Sequence, residues 1–340
     1  MKKTYNVAVV GATGAVGEVM FSILKERKFP IDKIYALASS RSTHKTVQYG
    51  GRTLKVQDLD KFDFNQVDIA LFSAGGSVSE KYAPIAGKTG CVVIDNTSHF
   101  RRDEDIPLVV PEVNPEALKD YKPRNIIANP NCSTIQMLVA LAPIHKAVGI
   151  KRINVATYQA VSGAGASGIE ELAKQTTALL SFNDVESKVF SAEIAFNVIP
   201  QIDTFQENGY TREEMKMVWE TQKILDENIL VNPTCVRVPV FYGHSEAVHI
   251  ETDKNISTHE VIKLLSNANG VEIVDDVGAL KFPTPKETSS GKDAVFVGRI
   301  RKDISCKNGL NLWVVSDNIR KGAALNSVQI AEEMIKMQLI

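Results

Sequence analysis

A glycine-rich segment near the amino terminus places the tightest constraint on the fold of this chain. The sequence Gly-Ala-Thr-Gly-Ala-Val-Gly at 11–17 follows an apolar run at 5–10 and precedes a stretch of helical apolar spacing at 16–28. Backbone N–H groups and the helix dipole at such a strand-loop-helix junction can hold a pyrophosphate. A plain tight turn is the alternative for the motif alone. Its place after the first strand favours a dinucleotide-binding fold.

Short apolar runs repeat after this segment and alternate with turns or helical segments. We predict strands at 34–38, 69–73, 91–95 and 126–128. Strands that alternate with helices form parallel sheets with helices on both faces. The first part of the chain is therefore predicted to be a doubly wound, Rossmann-type α/β domain.

The pattern changes after Pro130, where a long helical stretch leads into a second set of strands. We predict a helix at 133–147, strands at 153–159, 236–241, 247–251, 295–300 and 312–316, and a terminal amphipathic helix at 323–339. A chain of 340 residues exceeds what one hydrophobic core usually serves. We expect a cofactor domain at 1–129, completed by a terminal helix at 321–340, and an α+β catalytic and dimerisation domain at 130–320.

Composition excludes several classes of partner. Lys and Arg total 39 against 40 Asp and Glu, so no overall field favours nucleic acid or an anionic membrane. The chain lacks both a signal-peptide pattern and a run near the roughly 20 apolar residues that span a bilayer. Four cysteines without metal spacing fit a reducing compartment. We expect a cytoplasmic protein without a metal site, a nucleic-acid partner or a membrane partner.

The end of the second predicted strand bears on the choice of cofactor. NAD-selective folds carry an acidic residue there, but this strand ends in Ala-Ser-Ser-Arg-Ser at 38–42, and Asp32 lies at the opposite end. A guanidinium beside hydroxyl groups suits a 2′-phosphate. Arg41 and Ser42 therefore predict NADP, with a solvated loop charge as the alternative for Arg41.

Cys132 lies in the segment Asn-Pro-Asn-Cys-Ser-Thr at 129–134, directly before the long helix. A helix amino terminus favours the thiolate and so lowers the pKa of a cysteine. The remaining cysteines, Cys91, Cys235 and Cys306, lie in apolar strands or an ordinary loop. We predict that Cys132 is a catalytic nucleophile, against the alternative of a small buried thiol.

A thiolate nucleophile needs an acid-base partner, and the chain has six histidines. Only His244, in Arg-Val-Pro-Val-Phe-Tyr-Gly-His-Ser at 237–245, is interpreted as leaving an apolar strand into a glycine turn. A structural role is the alternative, as it is for any lone histidine. We predict His244 as the partner of Cys132.

The motifs together resemble the aspartate-semialdehyde dehydrogenase family over essentially the whole chain. The resemblance is carried by the glycine segment at 11–17, Asn-Pro-Asn-Cys-Ser-Thr at 129–134, Tyr-Gln-Ala-Val-Ser-Gly-Ala-Gly at 158–165, and Arg237 seven residues before His244. It implies an NADPH-dependent enzyme that converts L-aspartyl 4-phosphate to aspartate 4-semialdehyde and inorganic phosphate through a thioester. That step serves lysine, methionine, threonine and diaminopimelate biosynthesis.

The resemblance also implies roles for individual residues. Cys132 is the acyl-thioester nucleophile, His244 the acid-base catalyst, and Gln159 the residue that orients the acyl group. The substrate's carboxylate, ammonium and phosphoryl groups are assigned to Arg237, to Glu213, and to Lys216 with Arg101. The cofactor contacts are Gly11, Thr13, Gly14, Ala15, Val16, Arg41, Ser42, Ser162, Gly163 and Asn318. Arg101 and Arg102 are adjacent, so only the alignment with the family's pattern assigns the phosphate to Arg101.

Two rival functions stay open at this point. N-acetyl-glutamyl-phosphate reductase uses similar motifs, but its substrate carries an uncharged amide where Glu213 would meet an ammonium. A non-catalytic NADPH-binding sensor would keep the fold without the chemistry. Intact Cys132, Gln159 and His244 disfavour the sensor. The resemblance also implies a homodimer, or a dimer of dimers, formed through the second domain.

Overall fold

The computed structural model describes residues 4–340, and these residues form two compact units. The first unit contains the chain up to Asn131 together with Ala323–Ile340, and the second contains Cys132–Gly322. The chain thus leaves the first unit immediately before Cys132 and returns to it after Gly322.

The first unit is built on a seven-stranded sheet. Its strands are β1 (Tyr5–Val10), β2 (Ile31–Ala38), β3 (Thr46–Tyr49), β4 (Arg52–Asp58), β5 (Ile69–Phe72), β6 (Val92–Asp95) and β7 (Ile126–Ala128). They lie in the order β3-β4-β2-β1-β5-β6-β7, and all neighbours are parallel except the β3-β4 hairpin. The predicted doubly wound sheet is confirmed. The hairpin was not predicted.

Three helices accompany this sheet: α1 (Ala15–Glu26), α2 (Gly76–Lys88) and α7 (Leu325–Lys336). Central strands such as β5 and β6 are fully buried and read as continuous apolar runs, as expected of parallel strands with helices on both faces. Helices α1 and α7 contribute buried side chains, including Met20 and Val328, to the same core. The terminal helix therefore completes the core of the first unit.

The second unit is built on a six-stranded mixed sheet. Its strands are β8 (Ile150–Gln159), β9 (Leu230–Arg237), β10 (His244–Thr252), β11 (Val271–Ile273), β12 (Val295–Lys302) and β13 (Gly309–Ser316). They lie in the order β11-β12-β13-β10-β8-β9. The helices of this unit are α3 (Cys132–Val148), α4 (Ala166–Leu180), α5 (Arg212–Ile224) and α6 (Thr258–Ser266). The predicted second α+β region is confirmed.

The strand predicted at 236–241 was misplaced. Strand β9 ends at Arg237, and the next strand, β10, begins at His244. Pro239 lacks a backbone N–H and interrupts the ladder, although the residues around it are apolar. His244 therefore follows the glycine turn and opens a strand, whereas the sequence was interpreted as a strand that leads into the turn.

Among residues 4–340, no helix is both long enough and apolar enough to cross a bilayer.

Candidate active site

A row of buried polar side chains crosses one face of the six-stranded sheet. Arg237 of β9 lies opposite Gln159 of β8, and His244 of β10 lies opposite Ser316 of β13. The antiparallel register of β8 and β10 continues to Gln159 and His244. Residues opposite each other on paired strands point to the same face. The sheet thus brings together three of the residues that the sequence singled out: Arg237, Gln159 and His244.

Cys132 is the first residue of α3, as predicted, and its side chain is half-buried. Its charge acts on Arg237, so the sulfur and the guanidinium lie in one electrostatic environment. The backbone at Gly322 lies close to Cys132. A Cβ at position 322 would come within 2.7 Å of the Cβ of Cys132, so only glycine fits there. A helix amino terminus and a nearby guanidinium both favour the thiolate.

His244 is completely buried, and its two ring nitrogens have different environments. The backbone N–H of Ala160 donates a hydrogen bond to Nδ1 over 3.0 Å. In the neutral ring this assigns the proton to Nε2, which has no hydrogen-bond partner within residues 4–340. Burial, reinforced by the charge of Arg237, lowers the pKa of His244 to about 3. His244 is therefore a neutral imidazole that presents an Nε2–H donor.

The buried neutral state of His244 predicts a loss of stability on acidification. The native ring stays neutral down to a pKa of about 3, whereas the unfolded chain binds a proton below about pH 6.5. Stability is thus complete above about pH 6.5 and falls as the pH drops toward 3. From about pH 8 to about pH 5, the free energy of unfolding should fall by about 2 kcal/mol through this residue alone.

The prediction is checked by urea denaturation of the wild type and His244→Asn at both pH values. Asparagine can still accept a hydrogen bond at the position of Nδ1 but does not titrate. The exposed His259 on α6 provides a matched control, His259→Asn. An equal pH dependence of wild type and His244→Asn would refute the assignment of a neutral buried ring.

Glu213 and Lys216 lie on one face of α5, as their spacing predicted, and Glu213 reaches the polar row. Glu213 accepts a hydrogen bond from Gln159 over 3.1 Å and pairs with Lys216 over 2.9 Å. The start of α5 is stabilised by a capping box in which Thr211 and Glu214 bond each other's backbone. One carboxylate therefore links the amide of Gln159 to the ammonium of Lys216.

Asp203 also contacts Lys216, which sequence reasoning did not anticipate. Its carboxylate lies 2.9 Å from Nζ of Lys216, and its backbone has a left-handed φ of 67°. Burial alone would raise the pKa of Asp203, but the hydrogen bond and charge of Lys216 lower it on balance. No signal in the sequence marks Asp203, because the contact spans thirteen residues across a loop.

Three further predicted residues, Ser162, Gly163 and Asn318, lie beside His244. Asn318 exchanges hydrogen bonds with Ser162 and accepts one from the backbone N–H of Gly243 over 2.9 Å. A Cβ on Gly163 would lie 2.8 Å from a guanidinium nitrogen of Arg237 and 3.4 Å from Nε2 of His244. Glycine at 163 therefore keeps open the space in front of the Nε2–H donor.

The predicted glycine loop connects β1 to α1 in the first unit. Gly11 has a φ of 86°, and a Cβ on Gly11 or Gly17 would lie 2.4 Å or 2.2 Å from a backbone oxygen. The N-cap of α1 is Gly14, which supplies no side-chain cap. The loop thus presents bare backbone at a helix amino terminus, an arrangement that fits a pyrophosphate. Thr13, Ala15 and Val16 lie on this loop and the first turn of α1.

Arg41 and Ser42 form part of a single helical turn, Ser40–Ser42, immediately after β2. Arg41 is exposed, and Asp32 lies at the other end of the strand. Ligands of doubly wound folds bind beyond the carboxyl ends of the strands. Arg41 and Ser42 are therefore at the correct end of β2 for a cofactor contact.

The two candidate arginines for phosphate differ in environment. Arg101 is buried and donates from Nη2 to the backbone oxygen of Asn96, which directly follows β6, over 2.8 Å. Arg102 is exposed. Burial beyond the carboxyl end of a central strand favours Arg101 for the phosphate role. Arg101 and Arg102 belong to the first unit, whereas Lys216 belongs to the second.

The arrangement in the second unit suits acyl transfer to sulfur. It combines a helix-terminal thiol, a neutral Nε2–H donor and a buried guanidinium with the Gln159, Glu213 and Lys216 network. Within residues 4–340, no group of three or more His, Cys, Asp or Glu side chains is arranged to hold a metal ion.

Two protein-family models match the chain. "Semialdehyde dehydrogenase, NAD binding domain" matches residues 6–121, and "Semialdehyde dehydrogenase, dimerisation domain" matches residues 141–321. The chain is therefore an oxidoreductase of the semialdehyde dehydrogenase class, with a nicotinamide cofactor. The second match supports a homodimer.

Relatives and solved structures make the assignment narrower. Aspartate-semialdehyde dehydrogenase 2 of Vibrio cholerae is 61% identical to this chain over 337 residues, which cover 99% of both chains. Aspartate-semialdehyde dehydrogenase of Aquifex aeolicus is 55% identical over 339 residues, which also cover 99% of both chains. The Vibrio cholerae enzyme II in complex with ASA superposes with a TM-score of 0.97 at 61% identity, covering 98% of this chain and 99% of that one. The chain belongs to the aspartate-semialdehyde dehydrogenase family.

A more distant structure bears on the cofactor. Aspartate semialdehyde dehydrogenase from Candida albicans, solved with NADP, has a TM-score of 0.78 at 25% identity and covers 99% of this chain and 100% of that one. The fold is therefore shared with an NADP-bound relative.

Proposed function

We propose that this chain catalyses the reversible, NADPH-dependent reductive dephosphorylation of L-aspartyl 4-phosphate to L-aspartate 4-semialdehyde, through an acyl thioester on Cys132. The observation that carries the proposal is the set of groups gathered around one sheet face. Cys132, His244, Arg237, Gln159 and Glu213 lie within a single unit of the chain. The step would serve lysine, methionine, threonine and diaminopimelate biosynthesis in the cytoplasm.

Substrate binding uses the charges of this set. Arg237 binds the α-carboxylate through its guanidinium, and Glu213 faces the ammonium while it keeps its bonds to Gln159 and Lys216. Lys216 has three N–H donors, two of which are directed at Glu213 and Asp203, so the third is left for the phosphoryl group. Arg101 is the proposed second phosphate ligand.

The acyl transfer begins with the thiolate of Cys132, which attacks the acyl carbon and forms the C–S bond. The negative oxygen that develops there accepts a hydrogen bond from Nε2–H of His244 and from backbone N–H groups at the start of α3. The C–O bond to phosphate then breaks, and inorganic phosphate leaves with its electron pair beside Lys216. Cys132 now carries the thioester, which Gln159 orients.

A bound NADPH supplies the hydride that reduces the thioester carbon. His244 again donates from Nε2 to the oxygen of the resulting thiohemiacetal anion, whose collapse releases the aldehyde and returns the Cys132 thiolate. An acid-base catalyst can act as a donor or as an acceptor. The tautomer of His244 that the N–H of Ala160 selects supports the donor role. Charge balances in this step without a proton transfer to the ring.

The proposed reaction is tested in reverse with aspartate semialdehyde, NADP and phosphate. We expect reduction of NADP, seen as absorbance at the NADPH band, that requires all three components. Reduction with N-acetyl-glutamate semialdehyde in place of aspartate semialdehyde would support the rival reductase. Its uncharged amide cannot make the charge-assisted bond that Glu213 would make to an ammonium.

The preference for NADP over NAD is predicted to depend on Arg41. Replacement by alanine removes a charge-assisted contact to the 2′-phosphate worth about 1.5–3 kcal/mol, or roughly one to two decades in the ratio of the two affinities. The measurement is the ratio of Kd for NADPH and NADH by fluorescence titration. Arg52→Ala, at an exposed arginine of the same unit, is the matched control. An unchanged ratio in Arg41→Ala would place the 2′-phosphate elsewhere.

A further inference from the structure

A second row of side chains lies directly beneath the polar row of the candidate active site. It consists of Cys235 on β9, Thr157 on β8, Glu246 on β10 and Val314 on β13, which are paired in register. Glu246 is two residues after His244, so both side chains point to the same face of the sheet. Glu246 is completely buried and has no part in the reaction proposed above.

Helix α3 repeats this two-level arrangement. Gln136 follows Cys132 by four residues, about one helical turn, and so lies on the same side of the helix. Gln136 is fully buried, and its Nε2 donates to the backbone oxygen of His244 over 3.4 Å. The helix thus carries a site residue, Cys132, with the buried Gln136 one level below it. The strand carries His244 with the buried Glu246 one level below it.

Glu246 and Gln136 act on each other. Burial raises the pKa of Glu246 well above its usual value, and Gln136 is the side chain that acts in the opposite direction. Within residues 4–340, no hydrogen bond of ordinary geometry reaches the Glu246 carboxyl oxygens or Oε1 of Gln136. A protonated carboxyl keeps a carbonyl oxygen that can accept, and Nε2 of Gln136 has two N–H donors. The two groups are chemically matched, and a charged carboxylate at this depth is strongly disfavoured.

We propose that Glu246 and Gln136 are positioning residues, a buried pair that holds α3 against β10 and so fixes Cys132 relative to His244. The proposal rests on the roles given to Cys132 and His244 in the proposed function. Gln136 is the connecting group, because its Nε2 donates to the backbone oxygen of His244 and the same amide acts on Glu246. Loss of the pair should alter the geometry of the reaction more than the binding of substrate.

The experiment compares Gln136→Met, Glu246→Met, the double variant and Glu246→Gln, with Met137→Leu on the same helix as a control. Each single methionine leaves a buried polar partner unsatisfied and should lower the thermal midpoint, whereas the double variant removes both partners and should recover it. We expect kcat to stay roughly 10- to 100-fold low in the double variant, with KM unchanged, because the support of His244 is still missing. Glu246→Gln should keep kcat near that of the wild type.

Each alternative outcome decides the matter. If kcat recovers together with the thermal midpoint in the double variant, the pair is merely structural and the proposal is wrong. If the double variant does not fold, Glu246→Gln tests the proposal. A stable Glu246→Gln variant with a large loss of kcat would show that a neutral pair is insufficient to position Cys132 and His244, and the proposal would be wrong. A wild type without turnover would contradict the proposed function instead. The rate of Cys132 alkylation would then test the pair, with a loss expected in the double variant and none in Glu246→Gln.

Discussion

Replacement of Cys132 by alanine is expected to lower turnover by roughly 10⁴-fold or more while NADPH binding persists, since loss of a covalent nucleophile has effects of this size. The sulfur forms the bond that holds the acyl group, and no other group in the polar row supplies a comparable nucleophile. The glycine loop proposed to bind the cofactor belongs to the other unit and is not altered. Steady-state rates and fluorescence titration with NADPH measure the two effects separately.

Selective alkylation provides an independent check on Cys132. Burial raises the pKa of Cys91 and of Cys235, so these thiols should react slowly with iodoacetamide. Cys306 is half-buried, as Cys132 is, but does not begin a helix, which makes Cys306→Ser the matched control. We expect Cys132 to be labelled first and Cys306→Ser to remain active. Near-normal turnover of Cys132→Ala, or equal labelling of the two residues, would contradict the covalent mechanism.

Local sequence patterns were sufficient to predict the fold of the first unit. Its central strands are continuous apolar runs, and the strand-loop-helix order around 11–17 identifies the sheet type without any long-range information. The β3-β4 hairpin was missed because its residues are largely polar and exposed, so the apolar pattern is weak there. At Pro239 the apolar pattern instead continued past the end of a strand.

The candidate site was predictable where chemistry is local and not where it depends on tertiary contacts. A thiol at a helix amino terminus can be identified from flanking residues, as it was for Cys132. The tautomer of His244 depends on the N–H of Ala160, eighty-four residues away. The Gln159-Glu213 bond spans fifty-four residues. The contact with Lys216 is made by Asp203, a loop residue whose own backbone is left-handed. Without the family resemblance, no pattern in the sequence joins these residues.

Arg237 is held more firmly than its position in the sequence suggested. It ends β9, and its Nη1 donates to the backbone oxygen of Ala160 over 2.8 Å. The ring of Phe190 lies 5.8 Å from the guanidinium carbon, within the range of a cation–π contact. Two such contacts restrain the guanidinium, so its remaining N–H groups have a fixed direction, which suits the role of carboxylate ligand that we propose for Arg237.

Arg237→Lys is expected to fold normally, lower kcat by roughly 10²-fold and raise KM, because misplacement of the acyl carbon by about 1 Å can cost that much. Lysine keeps the positive charge but supplies a point donor where arginine supplies two parallel N–H bonds. The contact of the guanidinium with Phe190 is also lost. Steady-state kinetics with the semialdehyde, together with a thermal midpoint, measure these effects.

Arg212→Lys, at an exposed arginine that begins α5, is the matched control and should retain wild-type kinetics. A rise in KM alone in Arg237→Lys would mean that the guanidinium binds substrate and transition state equally, without aligning the acyl carbon with Cys132. Wild-type kinetics in Arg237→Lys would remove this residue from substrate binding. The buried cation would then serve mainly to lower the pKa of His244 and to favour the thiolate of Cys132.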